Sequence, residues 1–253
     1  MKITFLGTGT SQGIPIIGSN HPVCLSNDEK DKRLRSSIML EWESYRYIVD
    51  CGPDFRQQLL REKVNDINGI IFTHEHADHT AGLDDIRPFC HKMGNVPIYV
   101  PERIADNLQM RFHYIFTKEN RYPGAPSVKM HMIYNKPFQL NGKTFLPVEY
   151  YHGNILIFGY RIDNFAYLTD FKSIEADEKN KLKNLDVLVI NALRIEPHPT
   201  HLNLKDALAL VKDLKPKKAY LTHVSHRLGF HKEIQKQLPT NVYLAYDGLH
   251  IEL

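Results

Sequence analysis

The sequence predicts an α/β fold, an αββα sandwich in which two β-sheets pack face to face and helices cover their outer surfaces. The first observation behind this prediction is the order of patterns along the 253 residues, which runs β-rich, helical, β-rich and helical. The second is that His and Asp residues repeatedly follow directly after strand-like apolar runs. Polar residues at several strand ends indicate one shared rim of a sheet assembly.

The first half of the chain alternates short apolar runs with segments of helical spacing. The apolar runs predict buried strands. These strands span residues 3–6, 37–41, 46–49, 70–72 and 96–100. Apolar residues at helical spacing predict helices over residues 54–63 and 83–93, and Pro101 opens a third helix that runs to about residue 112.

Three segments between these elements are polar or irregular. Residues 7–13 are glycine-rich but lack the lysine and following helix of a phosphate-binding loop, so they are interpreted as a tight strand exit near the site. Residues 18–35 are highly charged and predict a solvated loop or short helix. Residues 113–128 are predicted to be irregular. They belong to an insert, residues 101–136, which could serve as a lid or a dimer contact, and a solvated surface excursion fits equally well.

The second half of the chain is predicted to begin as a β-rich block. Strands are expected within residues 131–169, and later at residues 186–190, 218–221, 242–245 and 249–251. Helical spacing predicts helices over residues 174–183, 204–214 and 231–238. Because no internal repeat interrupts this order, a single domain over residues 1–253 is expected.

Composition narrows the classes of function. A net charge of +3 is too small to indicate nucleic-acid binding by itself. Three cysteines give no disulfide framework, which favours a reducing compartment. No basic segment precedes an apolar run and no apolar run approaches about 18 residues, so a cytoplasmic protein without a membrane span is expected.

The run T-H-E-H-A-D-H over residues 73–79 contains candidate metal ligands. It directly follows the buried strand at residues 70–72 and precedes small residues, which predicts a tight loop at a strand end. Neutral imidazole nitrogens that converge on such a loop suit a metal ion. A polar turn with solvated histidines is the alternative. The spacing differs from the helical H-E-x-x-H pattern of metalloproteases.

Three more candidate ligands stand alone later in the chain. His152, Asp170 and His223 each follow directly after a predicted β segment. One such residue would usually be a capped or solvated turn residue. Three in succession indicate that they meet at the same rim as residues 73–79.

The order H-x-H-x-D-H, then His, Asp and His resembles the metallo-β-lactamase superfamily, and the resemblance runs along nearly the whole chain. It implies two mixed β-sheets in the αββα arrangement and two divalent ions, zinc or manganese, that activate a water molecule for hydrolysis. In the implied assignment, His74, His76 and His152 hold one ion, Asp78, His79 and His223 hold the other, and Asp170 bridges them. Asp50 is expected to support the ligand loop from beneath, and an ordinary turn residue is an equally good interpretation.

Asp78 also bears on the substrate class. An aspartate at this position distinguishes the chain from superfamily members that have a cysteine ligand there, and it favours phosphodiesters over β-lactams, with thiolesters left open.

A narrower resemblance is to the phosphoribosyl cyclic phosphate phosphodiesterases. It is carried by residues 7–13, by residues 158–160 after His152, and by residues 221–226. The match implies a small cyclic or nucleotide-like phosphodiester as substrate. It places His201 where that family has an extra active-site histidine, which is not a metal ligand but faces the scissile phosphate as an acid or phosphate binder. Asp78 is expected to be catalytic as well as a metal ligand.

The chain departs from that family at a structural zinc site near the N-terminus. The family's three cysteines and one histidine correspond here to Ser19, His21, Cys24 and His226. His21, Cys24 and His226 could still bind zinc, whereas a serine hydroxyl stays protonated and is a poor fourth ligand.

Other functions remain open from the sequence. A nuclease that processes tRNA 3′ ends shares the metal motif, but the long basic, glycine-rich arm of those enzymes is not visible here. A non-haem iron oxidoreductase, or a metal-bearing protein without turnover, could use the same ligands. A small phosphodiester is the expected partner, nucleic acid is less favoured but left open, no membrane partner is expected, and a homodimer could form through the insert.

Overall fold

Two seven-stranded sheets form the framework of the computed structural model, which describes residues 1–117 and 119–253. The strands are β1 (Lys2–Gly7), β2 (Ser37–Trp42), β3 (Tyr45–Val49), β4 (Gly69–Ile71), β5 (Val96–Pro101), β6 (Val128–Ile133), β7 (Phe138–Leu140), β8 (Lys143–His152), β9 (Ile155–Ile162), β10 (Phe165–Leu168), β11 (Val187–Asn191), β12 (Lys218–Thr222), β13 (Val242–Leu244) and β14 (His250–Glu252). The α-helices are α1 (Phe55–Arg61), α2 (Ala77–Thr80), α3 (Arg87–Met93), α4 (Glu102–Arg111), α5 (His113–Phe116), α6 (Ala176–Asn180), α7 (Leu204–Leu214) and α8 (His231–Gln237).

Both sheets are mixed. The first has the order β14-β1-β2-β3-β4-β5-β6 and the second β13-β12-β11-β10-β9-β8-β7. Each sheet is antiparallel in one part and parallel in another, over β3 to β6 in the first sheet and β10 to β13 in the second. Parallel neighbours bring their carboxyl ends to the same edge, so the turns that follow them can meet there.

Strand alternation explains why the sheets stack. In β11, Val187 and Val189 point into the core between the sheets, whereas Leu188 and Ile190 point toward the helical side. This period of two is what a strand buried on both faces requires. The core between the sheets is rich in aromatic residues from both, including Phe5, Tyr47, Phe145, Tyr160 and Tyr220.

The helices pack on the two outer faces. Buried Ala207 and Val211 of α7 join the apolar cluster over the second sheet, and buried Ile104 and Leu108 of α4 join the cluster over the first. The predicted αββα sandwich is therefore confirmed. Within the described residues, no helix has the length and apolar character needed to cross a membrane.

Several predicted boundaries differ from the structure. The third helix begins at Glu102, because Pro101 still pairs with Ile133 as the last residue of β5. Residues 113–128 were predicted to be irregular, yet they contain the short helix α5 and the start of β6. The helix predicted over residues 174–183 is reduced to α6.

The interpretation of residues 18–35 as solvated is wrong for two of their charged residues. Asp31 and Arg33 are both 3% exposed. Arg33 donates hydrogen bonds to Thr8 Oγ1 and the Ala245 carbonyl, and it faces His231 Nδ1 at 3.1 Å. Burial lowers its pKa to about 10 in spite of nearby carboxylates, so the side chain remains a cation at neutral pH. The physical reason is that these hydrogen bonds offset the desolvation of the guanidinium.

This buried cluster also supports the site. Thr8 donates both its N–H and its Oγ–H to Asp247 Oδ1, at 2.9 and 2.7 Å. The Thr8 carbonyl accepts the Val224 N–H at 3.0 Å, directly after His223. The glycine-rich loop that begins at Gly7 is thereby held against a candidate ligand.

We expect Arg33→Met to lower the free energy of unfolding by about 3 kcal/mol, because removal of one partner leaves buried polar groups unpaired. Urea denaturation would measure this loss. Arg56→Met, at an exposed position of α1, is the matched control and should change stability by less than about 0.5 kcal/mol. Equal stability of the two variants would contradict the role assigned to Arg33.

Candidate metal centre

Strand register brings the isolated candidate ligands to one level. Leu168, Ile190 and Leu221 lie side by side across the parallel strands β10, β11 and β12. Asp170 lies two residues after Leu168, and His223 lies two residues after Leu221. They therefore leave the sheet at the same height, at its carboxyl edge.

The T-H-E-H-A-D-H run forms the turn between β4 and α2. His76 is the residue that caps the N-terminus of α2, so the chain curls immediately after it. This curl brings Asp78 and His79 back toward His74, whose ring centroid lies 4.1 Å from that of His79. His74 and His79 are almost completely buried, and Asp78 is 8% exposed.

The first group of potential ligands consists of His74, His76 and His152. One ring nitrogen from each lies within 4.8 Å of the others. His74 Nε2 faces His76 Nδ1 at 3.1 Å. His152, at the end of β8, donates from Nδ1 to the Thr200 carbonyl at 3.0 Å, which leaves its Nε2 free for the group.

The second group consists of Asp78, His79, Asp170 and His223, again within 4.8 Å. His79 Nε2 lies 3.2 Å from Asp78 Oδ2 and from Asp170 Oδ2. His223 Nε2 lies 3.2 Å from the other oxygen of Asp170. Asp170 also forms a third group with His152 and His201, so this carboxylate lies between the two parts of the cluster.

Asp50 holds the ligand turn from beneath. One of its oxygens accepts the Thr73 N–H at 2.9 Å, and the other accepts the Thr73 hydroxyl at 2.8 Å. The second oxygen also lies 2.7 Å from His79 Nδ1. A carboxylate on Nδ1 fixes the ring orientation and leaves Nε2 to face the cluster.

Electrostatics favour a cation among these residues. Burial lowers the pKa of His74 well below its usual value and that of His223 to about 4, so both rings are neutral, as metal ligands must be. Burial alone would raise the pKa of Asp170, but His223 and His79 hold it well below its usual range. Burial would likewise lower the pKa of His79, but the carboxylates Asp78, Asp50 and Asp170 raise it well above its usual value.

Unpaired buried atoms test whether a metal fits. His79 Nε2 and both ring nitrogens of His223 have no hydrogen-bond partner among the described residues. Buried polar atoms are normally paired, and one unpaired nitrogen from each of these two histidines, beside the carboxylates of Asp78 and Asp170, matches the donor set of a divalent transition metal. The residues therefore fit the metal that the fold family implies.

Three residues of the site have a strained backbone conformation. Asp50, Asp170 and His223 have positive φ angles of 67°, 55° and 52°. Non-glycine residues adopt this left-handed region only at a cost of about 1–3 kcal/mol, and such residues cluster at functional sites. Here the conformation turns each side chain off the end of its strand and into the cluster.

His201 joins the cluster from the loop after β11. Its Nε2 lies 3.0 Å from Asp170 Oδ1, and its ring stacks on that of His223 with centroids 5.0 Å apart. Nδ1 faces the Thr200 hydroxyl at 2.8 Å and His198 Nδ1 at 3.2 Å.

The residues of the candidate structural zinc site are grouped less closely than those of the main cluster. The rings of His21 and His226 lie 4.7 Å apart, and buried His226 Nδ1 has no hydrogen-bond partner among the residues that the structure describes. His21 Nδ1 accepts the Val23 N–H at 3.3 Å, while the Ser19 hydroxyl accepts the His21 N–H. Among the described residues, His21, Cys24 and His226 do not form a group whose ligand atoms all lie within 4.8 Å of one another.

Sequence reasoning missed the residues that hold the ligand turns in place. Arg111 of α4 donates to the Glu75 carbonyl at 3.1 Å and to the Thr80 hydroxyl at 2.8 Å. Lys172 donates to the His198 carbonyl at 2.7 Å. Neither residue belongs to a motif or has a spacing that links it to the ligands, so the sequence carries no signal for these contacts.

The chain matches a known protein family and a solved structure. Residues 45–224 match the model of the beta-lactamase superfamily domain. The crystal structure of a new diphosphatase from the PhnP family is 42% identical, with a TM-score of 0.93 over 99% of this chain and 96% of that one.

Two curated relatives are longer than this chain. The octanoyltransferase of Porphyromonas gingivalis is 38% identical over 98% of the chain and 51% of that protein. The ribonuclease Z of a Nostoc species is 28% identical over 81% of the chain and 55% of that protein. The chain thus spans about half the length of each.

We expect Asp50→Ala to weaken metal binding by about 10–100-fold, because His79 loses the partner that orients it. Competition against a fluorescent zinc chelator would measure the affinity. Asp66→Ala, which removes an exposed carboxylate before β4, should leave the affinity unchanged. An Asp50 variant with the affinity of the wild type would show that this contact does not support the site.

Proposed function

The chain belongs to the beta-lactamase superfamily and, within it, to the PhnP family; from this premise we propose that it is a metal-dependent phosphodiesterase. The observation that carries the proposal is the position of Asp170 between His152 on one side and His79 and His223 on the other. A carboxylate shared by two groups of imidazoles suits a pair of divalent ions. We further propose that the substrate is a small cyclic or nucleotide-like phosphodiester.

The ligand roles follow from the two groups. His74, His76 and His152 would hold one ion, Asp78, His79 and His223 the other, and Asp170 would contact both. Bound zinc or manganese would supply the acidity that activates water at neutral pH and the positive charge that stabilises phosphoryl oxygens. The chain itself supplies a rigid, mostly buried rim, in which Asp50 orients His79 and the Thr200 carbonyl orients His152.

His201 is proposed to handle the proton of the leaving group. Its Nε2 faces the Asp170 carboxylate at 3.0 Å, so an N–H at this nitrogen donates a hydrogen bond into the cluster. From there the proton can be donated to the departing oxygen, or hydrogen-bond a phosphoryl oxygen as that oxygen gains charge. The Thr200 hydroxyl at Nδ1 fixes the ring from its other side.

A ribonuclease of the Z type is the second candidate, supported by the identity of 28% to the Nostoc protein. The two proposals differ in their dependence on salt. RNA binding that neutralises several phosphates weakens steeply as salt rises, whereas a small diester depends on salt far less.

The location we propose is the cytoplasm. Cys24, Cys51 and Cys90 are all unpaired thiols, as expected in a reducing compartment.

The function is tested with metal-reconstituted protein and a panel of 2′,3′-cyclic nucleotides, ribose cyclic phosphates, bis-p-nitrophenyl phosphate and precursor tRNA. We expect turnover of a small diester that is abolished by chelator and restored by zinc or manganese. Cleavage of precursor tRNA alone, lost steeply between 50 and 200 mM salt, would favour the ribonuclease. No hydrolysis of any diester by metal-loaded protein would refute both.

His201→Ala is expected to retain both metals and the fold while lowering kcat by about 10²–10⁴-fold on a diester with an alkoxide leaving group. A p-nitrophenyl leaving group needs little protonation, so the loss on that substrate should be smaller. Steady-state kinetics on the two substrates measure the difference. Equal losses indicate phosphate binding rather than proton donation, and full activity on both would remove His201 from the mechanism.

We also propose that His21, Cys24 and His226 form a structural zinc site, in which His226 Nδ1, without a partner among the described residues, is one donor. Cys24→Ser should then remove up to one ion per chain and lower the melting temperature, while activity persists. Elemental analysis and thermal denaturation are the measurements, with Cys90→Ser as the matched control. Unchanged metal content and melting temperature would show that no ion is held there.

A further inference from the structure

We infer that Lys172 is a positioning residue for His201, an inference that rests on the proposed role of His201. Lys172 lies two residues after Asp170 and is half-buried. Its ammonium donates to the His198 carbonyl at 2.7 Å and makes a longer contact, 3.4 Å, with the His201 carbonyl. The side chain therefore spans both ends of the turn that presents the His201 imidazole.

The backbone of Lys172 is itself fixed to the metal cluster. Its N–H donates to the Tyr151 carbonyl at 2.8 Å, and Tyr151 donates to the Ser173 carbonyl at the same distance. Tyr151 directly precedes His152 at the end of β8. Lys172 thus connects three elements of the site: the segment after Asp170, the strand that carries His152, and the turn that carries His201.

Close packing shows that this turn has a defined position. Gly153 follows His152 with a φ of +60°, and a Cβ at this glycine would lie 2.8 Å from Thr200 Cγ2. The β8–β9 turn therefore approaches the His201 turn more closely than a side chain would permit. The Thr200 carbonyl also accepts the His152 Nδ1–H. A shift of this turn would move the His201 ring relative to Asp170 and also disturb His152.

A charged donor is well suited to this task. Residues 197–201 contain two prolines, and the contacts of His198 and Thr200 with His201 are local to the turn. Local contacts shape the turn but do not fix it to the rest of the site. Hydrogen bonds from an ammonium to carbonyl oxygens are stronger than those between neutral groups, and they add to the backbone bond between Leu202 and Phe171.

The test compares Lys172→Met with His201→Ala and with the double variant, on the alkoxide and p-nitrophenyl diesters described above. We expect Lys172→Met to lower kcat on the alkoxide substrate by about 10–100-fold, with a smaller loss on the p-nitrophenyl ester. In the double variant it should add less than about twofold to the loss caused by His201→Ala, because residues that act as a unit are not additive. Lys172→Arg should recover activity to within a few-fold, since its guanidinium can still donate to both carbonyls.

Controls separate this role from general stabilisation. Lys205→Met, at an exposed position of α7 near the same loop, should leave kcat on both substrates unchanged. Metal content of Lys172→Met should equal that of the wild type. If the methionine variant does not fold, Lys172→Gln replaces it with the same expected pattern. A substrate profile that differs from that of His201→Ala, or losses that are fully additive with His201→Ala, would overturn the inference.

Failure of this inference is distinguishable from failure of the proposed function. A wild-type protein without diesterase activity, or a fully active His201→Ala, refutes the proposed chemistry before Lys172 is considered. An active wild type with a defective His201→Ala and a fully active Lys172→Met refutes only the positioning role.

Discussion

The buried negative charge around His79 is the constraint on which the rest of the site depends. Asp50, Asp78 and Asp170 all face this one imidazole, and each is at least about nine-tenths buried. Carboxylates with so little water around them must be paired with a cation or protonated. An ionised carboxylate that is buried without a partner has a high free-energy cost. Burial raises the pKa of Asp50, whereas the pKa values of Asp78 and Asp170 are lowered, so at least two carboxylates share the single imidazolium of His79. A divalent cation beside His79 and His223 satisfies the charge and the unpaired ring nitrogens together.

The two sheets stabilise this arrangement of buried carboxylates. Mutual repulsion and left-handed backbone at Asp50, Asp170 and His223 would relax in a flexible loop. Each of these residues instead follows directly, or within two residues, after a strand of a core that is packed on both faces. The stability of this core offsets the local cost of the strained turns. Arg33 and Asp247 also stabilise this region, because both hydrogen-bond to Thr8. The Thr8 carbonyl in turn accepts the N–H of the residue after His223.

The fold was predictable because its signals are local and repeated. Alternation such as that of residues 187–190 identifies a strand with two buried faces wherever it occurs. The candidate ligands were also identifiable, since they stand at strand ends and register carries them to one level. The structural roles of Arg33 and Lys172 were not predictable from the sequence. Charge is normally a sign of exposure, and only long-range contacts, to Ala245 for the first and to His198 for the second, show why these cations lie where they do.

The most direct test of the account is a metal titration of chelator-treated protein, followed by isothermal calorimetry and checked by elemental analysis. We expect two zinc or manganese ions per chain at the main cluster, counted in Cys24→Ser to exclude a third site. Asp170→Ala should lose at least one of them, whereas Asp177→Ala, at an exposed position of α6, should keep both. A protein that binds fewer than one ion per chain, or that binds equally well without Asp170, would contradict the central claim.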